Sequence, residues 1–175
     1  MRTVEHREIV HQCGLIHDTV HFLCLDSAGH YFLQRRSHLA GRNPGRWTST
    51  VSGHVEAQDE GSHKNALERE IEEELGDQAL LSIGNIEYVG HVTCVSQNIV
   101  RIGVHSHSHI CNSVAHLYVG KSDKLLWKPT QEIEEVAVFD GDTIESAMRN
   151  KTFLKLYPMA DNFPIVYSMY RSKLK

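Results

Sequence analysis

The feature that most constrains the fold is a change of hydrophobic period near residue 62. Before it, apolar residues form short blocks rich in β-branched and aromatic side chains and separated by Gly and Pro, as in β-strands. After it, the apolar residues recur at helical spacing: Ala66, Leu67, Ile71 and Leu75. Ser62 is a suitable N-cap and Gly76 a suitable C-cap. The pattern predicts one helix over residues 62–75 in a chain that is otherwise rich in strands.

Other segments have strand or helix character. The predicted strands cover residues 8–11, 21–26, 31–35, 48–55 with an interruption at Gly53, 83–95, 98–104, 116–120 and 132–139. Strands 21–26 and 31–35 flank a Ser-Ala-Gly turn and predict a β-hairpin. The predicted helices cover residues 142–149 and 165–170, and residues 152–157 are helical or irregular. This order predicts an α+β fold or layered α/β sandwich, with helices covering a mixed β-sheet, in a single domain over residues 1–175.

The composition argues against several classes of protein. The chain has 175 residues, of which 41% are hydrophobic and 23% charged, and these values are typical of one globular domain. A net charge of -4 disfavours general electrostatic binding to nucleic acid. No apolar stretch is long enough to span a bilayer, and the first residues, MRTVEHREIVHQ, lack the apolar run of a signal peptide. We therefore expect neither nucleic acid nor membrane as a partner.

The four cysteines point to a reducing environment. They are scattered without a CxxC pair, which excludes a zinc ribbon and a disulfide framework: Cys13, Cys24, Cys94 and Cys111. Cys24 and Cys94 stand in apolar alternating stretches and are expected to be reduced core residues. A cytoplasmic location fits best. The oligomeric state stays open, with a homodimer among the options.

Three glutamates of the predicted helix fall on one face. Glu70, Glu73 and Glu74 occupy positions i, i+3 and i+4, where like charges repel each other. Mg²⁺ or Mn²⁺ would remove this penalty, because both ions prefer carboxylate and water oxygens. The alternative is that residues 72–74 form a solvated acidic surface.

The segment GHVEAQDEGSHKNALEREIEEELG resembles the Nudix box, in which Gly, five residues, Glu and seven residues precede Arg-Glu-apolar-any-Glu-Glu-any-Gly-apolar. The second half of the pattern matches from Arg69 to Gly76. The resemblance implies a Nudix-type αβα sandwich with a mixed β-sheet and a loop-helix-loop catalytic motif. It also implies hydrolysis, with Mg²⁺ or Mn²⁺ as cofactor, of a diphosphate linkage in a nucleoside diphosphate derivative or similar small molecule.

The resemblance also implies roles for single residues. The catalytic metal ligands would be Glu70, Glu73 and Glu74, with the Gly53 carbonyl as a further ligand, and one of these glutamates or a later one would help to activate water. Arg69 would brace the loop by a salt bridge rather than touch substrate.

The chain departs from the Nudix pattern in three ways. The spacing from Gly53 to Arg69 is two residues longer, and the upstream Glu position falls at either Asp59 or Glu60. Asp77 stands where the pattern has an apolar residue. The longer spacing lies in a loop, where changes of length are tolerated, so it affects the loop geometry more than the metal site.

A second resemblance extends upstream. The runs HDTVHFLCLDSAGHYFLQRRS and PGRWTSTVSGHVE are similar to the Nudix subgroup that includes isopentenyl-diphosphate isomerase and its hydrolase relatives. In the isomerase a cysteine acid/base precedes the Gly-His pair, and this chain has Ser52 there. The isomerase also has Tyr-Glu-Leu-Gly where this chain has Glu73-Glu74-Leu-Gly. Because a hydroxyl is a far weaker acid than a thiol, these departures favour hydrolysis. The alternatives are an isomerase-like enzyme and a non-catalytic Nudix-like binding module.

The isomerase also uses histidines as metal ligands, and three histidines here are candidates. His17 and His21 would share one face of a strand. For these two, hydrogen-bonded and partly buried imidazoles are the simpler interpretation. His54 follows Gly53 and is therefore closer to the chemistry, so we expect it to contact substrate.

Several other residues could serve the same site. Arg35 and Arg36 could bind substrate phosphates through their guanidinium groups, with one of them a structural ion-pair partner instead. Trp47 could stack on a base, although core packing is favoured. A late glutamate could complete the metal site, with Glu135 or Glu132 preferred in the group Glu132, Glu134 and Glu135. Alternating imidazoles could bind a transition metal, although a polar strand or loop is the simpler interpretation: His105, His107 and His109.

Overall fold

The central strand, β1 (Ile16–Leu25), is buried on both faces, because every residue from Thr19 to Cys24 is inaccessible or nearly so. The structure is a computed structural model that describes residues 7–102, 105–150 and 155–173, with side chains described for 8–96, 110–150 and 155–173. The other strands are β2 (Tyr31–Arg36), β3 (Trp47–Thr48), β4 (Val51–His54), β5 (Glu87–Ile102), β6 (His105–Lys121) and β7 (Ile133–Phe139). The helices are α1 (Arg7–Cys13), α2 (His63–Leu75), α3 (Ala79–Ser82), α4 (Gly141–Arg149) and α5 (Phe163–Lys173).

These strands form a mixed sheet in the order β3-β2-β1-β6-β5, with β7 on β2 and β4 on β1. Strand β1 is parallel to β6 along its whole length. Its other edge is shared, since β4 pairs with Thr19–Phe22 and β2 pairs with Cys24–Leu25. Thr50 joins the two partners at this fork: its hydroxyl accepts a 2.8 Å hydrogen bond from the Cys24 N–H and donates to the Phe32 carbonyl. The fork brings the ends of β4 and β2 side by side at the edge of β1.

Helices cover both faces of the sheet. Because side chains alternate along β1, Leu23 packs with α4 and α5, while Val20 and Phe22 pack with α2. The tyrosine hydroxyl of Tyr170 in α5 reaches between β1 and β6, where it accepts from the Tyr118 N–H at 3.1 Å. This two-sided covering confirms the predicted α+β sandwich around a mixed sheet.

The expected core residues lie in the core. Cys24 and Cys94 are buried free thiols, as predicted. Trp47 is buried and its ring meets that of Phe139 edge-on at 4.8 Å. The predicted hairpin of β1 and β2 is confirmed by their antiparallel pairing.

The prediction of a strand at residues 8–11 was wrong. These residues lie in α1, which packs against β6. The β-branched pair Ile9 and Val10 favours a strand locally, but a tertiary contact decides the conformation, since His11 is buried with Nδ1 3.4 Å from the Ile110 carbonyl oxygen.

Three further boundaries differ from the prediction. The strand expected over 48–55 is interrupted at residues 49–50, between β3 and β4. Thr50 lies outside the β-ladder there, because its side chain joins β1 and β2 at the fork. The strands expected over 83–95 and 98–104 are one strand, β5, with a register shift at Gly90, and residues 103–104 lie outside the described part. The helix predicted over residues 165–170 is longer in the structure, where it forms α5. Pro164 stands in the first turn of α5, where a missing N–H is tolerated. In the segment 152–157, which is predicted to be helical or irregular, residues 152–154 also lie outside the described part.

Candidate active site

Helix α2 carries the predicted metal ligands, and its ends are the predicted ones. The Ser62 hydroxyl accepts from the Asn65 N–H at 3.2 Å, and the Gly76 N–H donates to the Glu72 carbonyl at 3.0 Å. Ala66, Leu67, Ile71 and Leu75 form the buried stripe. Packing of that stripe against the sheet turns Glu70 and Glu74 toward the end of β4.

Glu70 lies directly against Gly53. A Cβ added to Gly53 would stand 1.8 Å from the Glu70 Cδ, which no real contact permits. Position 53 must therefore be glycine if the carboxylate is to reach the backbone of β4. Burial raises the pKa of Glu70 to about 7, although the Arg69 guanidinium at 2.8 Å opposes the shift.

Glu74 is the most buried of the acidic side chains, at 1% exposed. Its Oε2 accepts from the Ser52 N–H and from Gln34 Nε2, both at 3.0 Å. Its Oε1 has no hydrogen-bond partner among the described residues, and the nearest cation, Arg36, is 4.0 Å away. Burial, with the charge of Glu70 acting in the same direction, raises the pKa of Glu74 to about 8. One oxygen of this carboxylate thus lacks a donor in an environment that disfavours its charge.

Arg69 braces the loop before the helix. Its Nε and Nη2 bind the two carboxylate oxygens of Asp59 at 3.0 Å each, and Nη2 also donates to the His54 carbonyl at 2.8 Å. Although burial opposes ionisation, these contacts hold the pKa of Asp59 below its usual range. Glu60 is exposed at φ 52°. Of the two residues that the sequence left open for the upstream acidic position, Asp59 is therefore the one that contacts Arg69.

A cleft of about 200 Å³ opens beside these carboxylates. Its lining includes three residues that the sequence singled out, namely Arg36, His54 and Glu132, together with Glu70 and Glu73. The Glu73 side chain is 56% exposed and stands 3.0 Å from an Arg69 nitrogen. The predicted ligands Gly53, Glu70 and Glu73 line the cleft, and Glu74 lies behind them.

The two adjacent arginines separate onto opposite sides of β2. Arg36 lines the cleft and donates from Nε to the Arg42 carbonyl at 2.9 Å. Arg35 points away, where it pairs with Glu135 at 2.9 Å and lies 5.8 Å from the Trp47 ring centre. Because side chains alternate along a strand, only one of the pair can face the cleft. The prediction that Arg35 contacts substrate is therefore not supported by its position.

The late glutamates divide in the same way. Glu132 lines the cleft, with an oxygen 4.0 Å from Arg36 Nη2. Glu134 and Glu135 pair with Arg35 and do not line the cleft. Glu132 is consequently the member of this group that can act in the cleft.

A histidine cluster stands at one end of the cleft. His11 Nε2 lies 3.0 Å from His54 Nε2, the His17 and His54 rings stack at 5.1 Å, and the three imidazoles could hold a metal ion together. The sequence singled out His17 and His54 but missed His11, because residues 8–11 were taken for a strand. His21 also lines the cleft but does not belong to this cluster: its Nδ1 lies 3.3 Å from the Ser49 hydroxyl, and burial lowers the pKa of His21 to about 4.

Cys111 is a second residue of the cleft that the sequence did not single out. Its Sγ lies 3.8 Å from His17 Nε2. Although burial disfavours the thiolate, His17 and Arg42 lower the pKa of Cys111 to about 7. Its polar neighbours come from distant segments, so local spacing gives no signal for it. The side chains of His105, His107 and His109 lie outside the described residues.

Comparison with known proteins identifies the family. Residues 15–159 match the family model of the NUDIX domain. This chain belongs to the Nudix family. The match confirms the resemblance seen in residues 53–76 and supports the predicted enzyme class, a Nudix-type hydrolase.

Individual Nudix relatives are distant. The chain is 24% identical over 166 residues to isopentenyl-diphosphate Delta-isomerase 2 of Photorhabdus laumondii, covering 94% of this chain and 78% of that protein. The MutT protein of Methanosarcina mazei has a TM-score of 0.61 at 20% identity, over 91% of this chain and 96% of the other. The Nudix domain of Shewanella oneidensis NrtR, solved with ADP-ribose, has a TM-score of 0.58 at 15% identity, over 92% and 88%. These structural similarities establish the fold.

Within the described ranges, no helix combines the length and the apolar character needed to cross a bilayer. The cytoplasmic location, the single domain over residues 1–175 and the oligomeric state stay predictions.

Proposed function

We propose that this Nudix protein hydrolyses a diphosphate linkage in a small molecule, such as a nucleoside diphosphate derivative, with the help of Mg²⁺ or Mn²⁺. The observation that carries the proposal is the buried pair Glu70 and Glu74 beside an open cleft, with Glu74 Oε1 lacking a hydrogen-bond partner among the described residues. A similar solved structure, the Nudix domain of NrtR, holds ADP-ribose, and this supports the substrate class.

The residues fit a hard divalent cation. Glu70, Glu73, Glu74 and the Gly53 carbonyl offer oxygen atoms alone, the donors that Mg²⁺ and Mn²⁺ prefer. Two buried carboxylates with raised pKa values are costly without a counter-charge, and the raised values follow from burial itself. These four residues would hold the ion. When bound, it would neutralise developing charge on phosphate oxygens and lower the pKa of a bound water.

Arg36 and Arg42 are the proposed ligands of the diphosphate. Both line the cleft, and the Arg36 guanidinium lies between Glu74 and Glu132 at 4.0 Å from each. Guanidinium groups suit two-point contacts with phosphate oxygens. In the proposed complex these arginines orient the substrate so that its phosphorus faces the carboxylates.

The attacking water must lose a proton to a nearby base. Glu70 and Glu74 are fixed by packing, whereas the side chains of Glu73 and Glu132 are 56% and 62% exposed and border the cleft. Glu73 and Glu132 are therefore the candidate bases. We expect Glu132→Gln to lose kcat with little change in Mn²⁺ affinity, as judged by calorimetric titration. Glu73→Gln should lose kcat and also weaken Mn²⁺ binding, because Glu73 is a proposed ligand.

A hydrolysis screen tests the proposal. ADP-ribose, other nucleoside diphosphate derivatives and isopentenyl diphosphate are incubated with Mg²⁺ or Mn²⁺, and phosphate-containing products are measured in ¹⁸O-labelled water. For an accepted substrate, Glu70→Gln and Glu74→Gln should lower kcat/KM by roughly 100-fold or more, because each removes a metal ligand. Glu72→Gln is the matched control, since Glu72 is exposed on the same helix and should leave the rate unchanged.

Two results would reject the proposal. Equal rates in Glu74→Gln and wild type would show that the site lies elsewhere. An absence of hydrolysis together with no binding of Mg²⁺ or Mn²⁺ would favour a non-catalytic binding module.

Isomerisation of isopentenyl diphosphate is a second candidate. The 24% identical relative carries that name, and Cys111 places a thiol of lowered pKa in the cleft on β6, although Ser52 replaces the cysteine beside Gly53. Proton transfer at carbon would appear as deuterium uptake from D₂O by NMR. We expect hydrolysis without such uptake. Uptake that disappears in Cys111→Ser would favour the isomerase instead.

A further inference from the structure

A second cluster of potential metal ligands lies outside the cleft, on the face of β1 that packs against α2. Thr19 and His21 of β1 line the cleft. Because side chains alternate along a strand, Asp18 points to the other face of β1, where Val20 and Phe22 pack on α2. Asp18 meets His116 of β6 and His63, the first residue of α2. Three elements of the fold thus contribute one side chain each to a single point.

The three side chains are close enough to share an ion. His116 Nε2 lies 3.0 Å from Asp18 Oδ1, and the His63 and His116 rings stack with centroids 3.4 Å apart. The ligand atoms all lie within 4.8 Å of one another. Ligands bound to one Zn²⁺ at about 2.0 Å lie roughly 3.3 Å apart. Because stacked rings direct their nitrogens side by side rather than at one point, one of the two imidazoles must turn out of the stack when the ion binds.

Neighbouring groups orient the ligands. The Tyr88 hydroxyl lies 3.3 Å from His116 Nδ1, which leaves Nε2 as the nitrogen that faces Asp18. Metal-binding histidines usually have the other ring nitrogen held in this way. The cluster is half-buried rather than exposed, and His116 itself is buried.

We propose that Asp18, His63 and His116 bind Zn²⁺ as a structural ion, separate from the all-oxygen site of Glu70 and Glu74. Two imidazole nitrogens and one carboxylate oxygen match the preference of Zn²⁺ and leave a fourth position for water. The ion would join β1, β6 and the start of α2. The Asp18 carbonyl also accepts from the Val55 N–H at 3.0 Å, so the same ion would steady the chain that follows β4.

The test uses Co²⁺ as a spectroscopic substitute, in the His54→Gln background so that the other histidine cluster lacks one member. Excess Mg²⁺ occupies oxygen sites. Tetrahedral Co²⁺ with nitrogen ligands absorbs strongly in the visible region, whereas Co²⁺ among oxygens alone absorbs weakly. We expect one Co²⁺ per chain with strong bands, displaced by Zn²⁺. Adding His116→Gln should remove the bands and weaken Zn²⁺ binding by about tenfold or more.

His30→Gln is the matched control. His30 forms an analogous pair with Asp26, with nitrogen and oxygen 2.9 Å apart, but it belongs to neither three-residue cluster among the described residues. Its removal should change neither the bands nor the affinity. Equal Co²⁺ spectra in the His54→Gln protein with and without His116→Gln would overturn the proposal.

A second measurement does not depend on the His116 variant being folded. In the His54→Gln protein, Zn²⁺ should shift the ¹⁵N imidazole signals of His63 and His116 and raise Tm. Shifts confined to other histidines would overturn the assignment. Tyr88→Phe should weaken Zn²⁺ binding by roughly tenfold through the loss of the hydroxyl beside Nδ1, without removing the strong bands.

Discussion

Among single residues, Glu74 shows most clearly that the site is arranged at a cost to stability. It is buried, accepts hydrogen bonds at Oε2 alone and lies beside the second carboxylate, Glu70. A surface glutamate would be hydrated at both oxygens. The raised pKa means that the metal-free chain must either hold a proton on Glu74 or carry a charge in a place that disfavours it.

Glu74→Gln should accordingly stabilise the metal-free protein while it abolishes hydrolysis. The amide oxygen can still accept from Ser52 and Gln34, and the charge is gone. We expect a gain of roughly 2–4 kcal/mol in the free energy of unfolding near pH 8, measured by urea denaturation with EDTA. Glu72→Gln should change it by less than about 0.5 kcal/mol. A less stable Glu74→Gln would contradict the account of the buried charge.

Gly53→Ala tests the contact between β4 and Glu70. The added Cβ would displace the carboxylate or the strand, because it would lie 1.8 Å from Glu70 Cδ. We expect a loss of about 1–3 kcal/mol in stability and of roughly 100-fold in kcat/KM. Gly41→Ala is the control, since an added Cβ meets nothing within 4 Å there. Wild-type activity in Gly53→Ala would show that Glu70 does not need this position.

At the scale of elements, the loop before α2 depends on one ion pair. Asp59→Asn removes half of the two-point contact with Arg69 and should cost about 1–3 kcal/mol in unfolding free energy. Glu60→Gln should stay within about 0.5 kcal/mol. Thermal and urea unfolding of the two variants measure the difference in their stability. A larger loss of stability in Glu60→Gln than in Asp59→Asn would show that Glu60 braces the loop.

The elements that were predicted well are those specified by local signals. Helix α2 combines caps at Ser62 and Gly76 with a continuous apolar stripe, so nothing outside the segment is needed to recognise it. Helix α1 has no comparable pattern, and its conformation depends on packing against β6.

The residues of the candidate site that could be predicted are likewise those with a local signal in the sequence. Glu70, Glu73 and Glu74 follow from helical spacing. By contrast, the choice between Arg35 and Arg36 depends on the phase of β2, and that between Asp59 and Glu60 on the loop backbone. His11 and Cys111 reach the cleft through long-range contacts that a single sequence does not reveal.

At the scale of the whole molecule, acid should destabilise the sheet at its centre. His21 stands on β1, and its pKa of about 4 reflects burial. Below pH 6.5, His21 of the unfolded chain binds a proton, whereas His21 of the folded chain stays neutral until about pH 4. The contribution of the neutral imidazole to folding stability is therefore present above pH 6.5 and is lost as the pH falls toward 4. From pH 7 to pH 5 the loss from His21 is about 2 kcal/mol.

His21→Gln isolates this contribution. Its unfolding free energy, measured by urea denaturation, should fall by about 2 kcal/mol less than that of wild type between pH 7 and pH 5. Parallel pH profiles for His21→Gln and wild type would show that the buried imidazole does not titrate in this way.

The fork at the edge of β1 determines which segments of this protein can change in sequence without affecting the reaction centre. Glu74 takes one hydrogen bond from β4, through Ser52, and one from β2, through Gln34, so neither strand can slip in register without disturbing the reaction centre. The chain between β2 and β3 makes no hydrogen bond to Glu74 among the described residues, yet it supplies Arg42 and Asn43 to the cleft. Descendants of this chain that keep Arg42 on the diphosphate could therefore acquire new substrates by altering other residues of the segment 37–46, such as Asn43, while the chemical step stays the same.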